Sequence, residues 1–181
     1  MKLSNMLNSS LVFTAKKDVR YYLNGINIYF KADRIRAISA TDGHTAQLLS
    51  VGAKEERNIK DYESIIISNE DVKRIIAIFP DRQVDEVPVT EILTHVVPVD
   101  GRYPDITRII PDDSALNEDQ VIGIDYKYLA RISASLIKLS KGIKVDYHHA
   151  KFTFKGPDKA IRVDAIVNDS NALIIIMPCR L

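Results

Sequence analysis

The sequence predicts an α+β fold in which antiparallel sheets are backed by helices, built from three strand-helix-strands units. Three observations predict it. Amphipathic helical segments start at the capping residues Ser4, Ser68 and Asp125, which fall 64 and 57 residues apart. Each of these helices is preceded by a short or possible strand and followed by segments that alternate apolar and polar residues. Polar links at 52–63 and 111–120 mark the joints between units. A period near 60 with little residue identity between copies is a repeat of structure rather than of sequence.

Taken in order, Leu3, Leu7 and Leu11 are spaced by four and predict a first helix over about 4–17, although Asn and Ser dilute its propensity. Ile26, Ile28 and Phe30 then alternate with polar neighbours and predict a strand; 34–40 and 45–51 predict two more. Ile65-Ile66-Ile67 leads into the clearest helix, 68–79, with Ser68 as cap, Asp71 at the third helical position, and Val72, Ile75, Ile76 and Phe79 on one face. Pro80 cannot continue it. Val121-Ile122-Gly123-Ile124 leads into the third helix, capped by Asp125, with Leu129, Ile132, Leu136 and Leu139 in one stripe and Gly142 beyond its end. Strands are expected around Ile143 and Val145, Phe152 and Phe154, Ile161 and Val163, and over 173–177.

Composition narrows the function classes. The chain has 181 residues, 46% apolar and 27% charged, the balance of a globular protein rather than a disordered one. Its longest apolar run, 172–178, is far too short to cross a membrane, and residues 1–17 are too polar for a signal peptide. One cysteine, Cys179, excludes a disulfide framework and a cysteine zinc site. The chain therefore reads as cytoplasmic, with no membrane partner.

Few residues suggest catalysis. Asp42-Gly43-His44 could be a catalytic group, but Asp-Gly between two alternating segments is first a hairpin turn. Asp85-Glu86 reads as a solvated turn. His148 and His149 would point to opposite faces of a strand and cannot chelate one metal, and His95 stands alone. There is no glycine-rich phosphate loop, serine elbow or paired zinc motif, so an enzyme is the lesser reading and no cofactor is expected. Basic residues gather on the helices: Lys16, Lys17 and Arg20 after the first, Lys73 and Arg74 on the second, Lys127, Arg131, Lys138 and Lys141 on or beside the third. They could form a strip that meets phosphates, with Lys73, Arg74, Lys127 and Arg131 as the DNA contacts. Ordinary solvated helix faces explain them equally well. The net charge of +1 decides nothing, because binding follows local charge.

Three motifs carry a family resemblance. Asp18-Val-Arg-Tyr-Tyr-Leu-Asn-Gly25 followed by Ala40-Thr-Asp-Gly-His44, Val99-Asp-Gly-Arg-Tyr-Pro-Asp105 continuing to Arg108-Ile-Ile-Pro111, and Ile175-Ile-Met-Pro-Cys-Arg-Leu181 together resemble the bacterial DNA polymerase III β sliding clamp. The resemblance implies a DNA-clamp-like fold with helices lining a hole and sheets on the rim. Residues 1–112 resemble that clamp's middle domain, and 120–181 the last half of its third domain. It also implies a cleft for the clamp-binding motifs of polymerases and other replication proteins. The matching positions are Leu23, Thr41, Gly43, His44, Pro104, Arg108, Ile109, Ile175, Met177, Pro178 and Arg180. Thr45 and Ala46 stand where the family has a basic and a large aliphatic residue, which removes a charge and opens volume; Cys179 replaces a more usual methionine. For Ile174 and Ile176 closing the sheet is the preferred role.

The resemblance implies a sliding-clamp-like replication or repair accessory that oligomerises around or along DNA, which it binds weakly and without sequence preference. A homo-oligomer is expected, a dimer before a tetrameric ring. The competing reading is a non-ring regulator or decoy acting on a host clamp or its partners. An enzyme using Asp42 and His44 is the third.

Overall fold

The computed structural model describes residues 1–52, 59, 61–110, 123–144, 149–156, 159–167 and 170–178. Helix α1 covers Leu3–Ser10. Three strands follow, β1 Gly25–Lys31, β2 Arg34–Thr41 and β3 Thr45–Val51. Strand β4, Glu63–Ser68, runs into helix α2, Asn69–Ile78, and a short helix α3 spans Val89–Leu93. Helix α4, Tyr126–Leu139, precedes β5 Lys151–Thr153, β6 Ile161–Val167 and β7 Ser170–Ile176.

All seven strands form one antiparallel sheet in the order β4-β1-β2-β3-β7-β6-β5. Its centre is the pairing of β3 with β7, from Thr45 opposite Ile176 to Val51 opposite Ser170. Both are the last strand of a helix-plus-three-strands unit, so α1-β1-β2-β3 and α4-β5-β6-β7 meet about an approximate two-fold axis near Leu48 and Leu173. Helices α1 and α4 run antiparallel across that axis: Asn5 donates to the carbonyls of Leu139 and Lys141, Ser9 bonds Ser135, and Arg131 donates to the Val12 carbonyl.

Period-2 alternation divides the sheet residues between two cores. Ile26, Ile28, Ile38, Leu49, Ile67, Val163, Ala172, Ile174 and Ile176 face the helices and pack in one cluster with Leu3, Met6, Leu7, Val72, Ile75, Ile132 and Leu139. Tyr29, Ala37, Ala46, Leu48, Leu173 and Ile175 face the other way and pack with Ile59 and Ile106.

The α+β architecture matches the sequence expectation, and three details differ. The first helix stops at Ser10 instead of running to about residue 17: the Phe13 N–H turns back to the Ser10 carbonyl, and Lys17 takes φ +62°. Its cap is Lys2, because Ser4 lies inside the helix with its hydroxyl donating to the Pro80 carbonyl at 2.6 Å. The middle unit departs from the repeat: residues 79–110 carry α3 and 3-10 turns and no strand. The other two caps are as expected. Ser68 accepts from the Asp71 N–H and Asp125 from the Lys127 N–H. Val121, Ile122, Val145 and His148 lie outside the described residues.

Candidate functional site

Residues 41–45 connect β2 to β3 in a heavily bonded turn. Gly43 takes φ +89°, a conformation that favours glycine. The Thr41 hydroxyl donates to the Thr45 carbonyl at 2.7 Å and accepts from the Gly43 N–H at 3.0 Å. Asp42 Oδ1 accepts from the N–H groups of His44 and Thr45 and from the Thr45 hydroxyl at 2.8–3.0 Å. Asp42 Oδ2 receives Arg131 Nη1 of α4 at 2.7 Å. Burial pushes the Asp42 carboxyl up, but hydrogen bonds from Thr45, Arg131 and His44 together hold it below its ordinary value. Both oxygens of Asp42 are therefore engaged in shaping the turn and in tying it to α4.

Two further groups fix the turn. Tyr103 reaches up from the 98–105 segment, and its hydroxyl accepts the Thr41 N–H at 3.0 Å while donating to the Gly25 carbonyl at 3.2 Å. Burial raises the Tyr103 phenol well above its usual range, so it stays a donor. On the exposed side the Arg20 guanidinium lies against Gly43, where an added Cβ would stand 3.1 Å from Nη2. Asp18 holds Arg20 by a two-pronged contact at 2.8 and 3.0 Å, and the Arg20 hydrogen bonds lower the Asp18 carboxyl to about 2.

The C-terminal strand brings the tail to this turn. The β3–β7 register ends at Thr45 opposite Ile176, and the next residue, Met177, donates its N–H to the His44 carbonyl at 3.3 Å. The structure thus places Thr41, Gly43, His44, Met177 and Pro178 around one end of the β3–β7 seam. Gly43, His44, Ile109 and Met177 are exposed; Leu23 and Ile175 are each 1% exposed and lie beneath the surface. Ile175 belongs to the outer core that also holds Ile106, three residues before Ile109 in the same 3-10 turn. Arg108 projects to solvent with Asp105 as its ion-pair partner at 3.2 Å, and Pro104 is half-buried next to Tyr103. Arg180 and Cys179 lie outside the described residues. Thr45 and Ala46 are both buried, Thr45 through its bond to Asp42 and Ala46 in the outer core, so neither opens volume at the surface.

Sequence reasoning missed Asp18, Arg20 and Tyr103 as the groups that shape the turn. All three stand in the quoted motifs, and a tyrosine hydroxyl beside a proline-containing loop was the available signal. Of the four basic residues read as DNA contacts, Lys73, Arg74 and Lys127 are exposed, although Arg74 also pairs with Asp71 at 2.8 Å. Arg131 is different: it is three-quarters buried, bonded to Asp42 and Val12, and stacked over the Phe13 ring at 5.4 Å.

No family model matches the chain. Solved structures superpose on nearly all of it. The DNA polymerase III subunit beta of Pseudomonas aeruginosa aligns with 98% of this chain and 64% of its own, at 17% identity and TM-score 0.66. The DNA polymerase III beta chain of Streptococcus pneumoniae TIGR4 aligns with 100% of this chain and 64% of its own, at 14% identity and TM-score 0.68. The chain has the fold of a bacterial beta sliding clamp. Sequence agrees with that fold. The chain is 28% identical over 121 residues to the beta sliding clamp of Pseudomonas putida, covering 61% of this chain and 32% of that one. It is 27% identical over 165 residues to the beta sliding clamp of Buchnera aphidicola, covering 84% and 43%. The chain therefore spans 32% to 43% of the length of these clamps. Another P. aeruginosa clamp of the same fold, with TM-score 0.57 and 16% identity, is bound to griselimycin. Among the described residues no helix is long and apolar enough to cross a membrane.

Proposed function

We propose that the chain is a clamp-type accessory protein of DNA replication or repair, which takes short apolar motifs of polymerase-type partners at the end of the β3–β7 seam. One observation carries the reading. The two motif segments that the clamp resemblance assigns to a peptide cleft, the 41–45 turn and the 177–178 tail, lie side by side. Met177 donates its N–H to the His44 carbonyl, although the two residues follow from different helix-plus-three-strands units.

At the seam Met177 offers exposed apolar surface able to adapt to its ligand, and Ile109, exposed in the 3-10 turn whose Ile106 packs with Ile175, would extend it. His44, whose carbonyl meets Met177, and the exposed Arg108 would supply the polar margin. Desolvating roughly 100 to 150 Å² of apolar peptide surface there contributes about 2.5 to 4 kcal/mol before ordering costs, which fits micromolar binding of a short motif. Sequence-independent DNA contact through Lys73, Arg74 and Lys127, and self-association, complete the proposal. The likeness to sliding clamps in fold and sequence supports each part.

Calorimetric titration with a short clamp-binding peptide tests it. A micromolar dissociation constant is expected, lost when residues 177–181 are deleted while the sheet, whose strand β7 ends at Ile176, stays folded. No heat at peptide concentrations near a millimolar refutes peptide binding.

A further inference from the structure

Helix α4 carries more apolar surface than the fold covers. One of its flanks faces α1: Arg131 donates to the Val12 carbonyl, Ser135 bonds Ser9, and the Leu139 carbonyl accepts from Asn5. Its other flank and the β5–β6 end of the sheet wall an open groove of about 480 Å³, whose apolar lining includes Leu129, Leu136, Ile137, Ala150, Phe152 and Val167. Ile137 is 66% exposed and Leu129 43%, and exposed apolar surface gathered in one groove marks an interaction site. Leu129, Leu136 and Ile137 stand at i, i+7 and i+8, one stripe along the helix. Ser133 and Ser140 line the same groove, and their short side chains let another backbone approach. From Leu129 to Ser140 the stripe runs roughly 16 Å, about three helical turns.

The internal two-fold axis gives the shape of what would fit. It exchanges β3 with β7, β2 with β6, β1 with β5 and α1 with α4. Beyond β1 the sheet continues into β4, which leads to α2, and α2 packs against α1 on the side away from α4. The same axis carries α2 onto the groove beside α4. Among the described residues no helix stands there, and β5 ends the sheet. The place is thus shaped for a helix that buries one apolar stripe, as α2 buries Val72 and Ile75. The surroundings are basic. Residues 126–167 hold nine basic and three acidic side chains, and Lys138, Lys141, Lys144 and Lys151 are exposed.

We propose that this groove takes an amphipathic helix of a partner protein, apolar on the face that enters and acidic on its flanks. Helices laid into apolar grooves are held by anchors at i, i+3 or i+4, and i+7, the spacing that three turns along α4 can receive. Charge complementarity selects an acidic helix. A second copy placed groove to groove would oppose basic to basic, and the apolar stripe of this chain's own α2 is already buried in its core. The site is separate from the peptide seam. On the sheet it reaches Val167, which pairs with Ser170, whereas the seam lies past Ile176 at the other end of β7. The inference therefore stands independently of peptide binding at the seam.

Fluorescence anisotropy on the full chain tests it. The probe is a labelled synthetic helix of about 14 residues, with leucine at i, i+3, i+4 and i+7 and glutamate on its other faces. Saturable binding is expected, weakened at least about tenfold when serine replaces the leucines and when lysine replaces the glutamates. Ile137→Asp, at an exposed position, should weaken binding at least about tenfold with the far-ultraviolet circular dichroism unchanged. Lys141→Glu/Lys144→Glu changes two exposed side chains just past the groove's Ser140; it should weaken binding and flatten its salt dependence. An excess of a short clamp-binding peptide should leave the probe in place. Displacement by that peptide, or equal affinity of the Ile137→Asp protein, would put the probe elsewhere and overturn the proposal. So would a chain that ignores the probe at hundreds of micromolar. A dimer by light scattering that Ile137→Asp makes monomeric, with no probe bound, would assign the groove to a second copy instead.

Discussion

Replacing Asp42 by alanine should loosen the 41–45 turn and uncouple it from α4. The carboxylate receives four hydrogen bonds, three from the turn itself and one from Arg131. The pair is largely out of water, with side-chain exposures of 25% for Arg131 and 19% for Asp42. Breaking a fully buried ion pair costs about 3 to 5 kcal/mol, and this residual exposure puts the loss near the lower bound, about 3 kcal/mol. For a chain of this length that lowers the melting temperature by about 6 to 12 °C. The Arg131→Ala variant should lose a similar amount, since it also gives up its bonds to the Val12 carbonyl and its place over Phe13. The double variant should not lose the sum: a coupling of about 2 kcal/mol is expected in urea unfolding.

The pH dependence has a definite sign. The folded Asp42 carboxyl lies below its ordinary value, so its contribution is complete above about pH 4 and is lost as the pH falls through the lower folded value. The stability gap between wild type and Asp42→Asn should therefore be widest near neutrality and narrow below about pH 4. Additive single losses, within about 0.5 kcal/mol, together with a gap that does not change with pH, would refute the ion pair as the link between turn and helix.

Tyr103→Phe removes the hydroxyl that bridges Thr41 and Gly25; it should cost about 1 to 2 kcal/mol in urea unfolding and weaken peptide binding, and an unchanged stability would count against the bridge. Arg108→Ala should weaken peptide binding by less than about 1 kcal/mol by calorimetry, because its charge is exposed and screened. Lys73→Ala/Arg74→Ala should reduce DNA retention on a filter and flatten its salt dependence with little change in stability; unchanged retention would show that α2 does not meet phosphates.

Much of the fold was legible because its elements carry local signals. Ser68 with Asp71, and Asp125 before an apolar stripe, announce α2 and α4 to within a residue. Asp42-Gly43 between alternating segments marks the β2–β3 hairpin, and β3 occupies the expected residues 45–51. The end of α1 was not legible, since helix propensity does not register that Ser9 is needed in a buried cluster or that the chain turns at Ser10. The pairing of β3 with β7 was not legible either. Any alternating strand can join any sheet edge, and which strands meet is decided by contacts between residues far apart in the chain. For the same reason Arg131 looked like a phosphate contact: its sequence neighbours are helical and basic, and its partner Asp42 lies 89 positions away.

What holds those distant halves in one register is polar as well as apolar. Apolar contacts alone favour burial of the helix-facing side chains but discriminate weakly among registers that bury the same residues. Gln47, at the middle of β3, faces the helices among aliphatic neighbours and is fully buried. Its amide donates to Ser9 of α1 at 3.1 Å and to Ser135 of α4 at 2.6 Å, and the two hydroxyls bond each other at 2.6 Å. These three polar side chains satisfy one another only when α1, α4 and β3 are aligned as they are. A two-residue slip of α4 would separate Ser135 from Gln47 and leave buried polar groups unpaired, at about 1 to 3 kcal/mol each. The same slip would part Arg131 from Asp42. The alignment that satisfies the buried cluster is thus the one that fixes the 41–45 turn, and the β3–β7 register then delivers Met177 to His44. Gln47→Leu separates the two contributions. It keeps apolar bulk at the helix interface, so the fold should persist, while Ser9 and Ser135 retain only each other. Weaker peptide binding in a folded Gln47→Leu protein would show that alignment of the helices, beyond burial, sets the geometry of the seam. Unchanged binding would assign that geometry to the turn and the strand register alone.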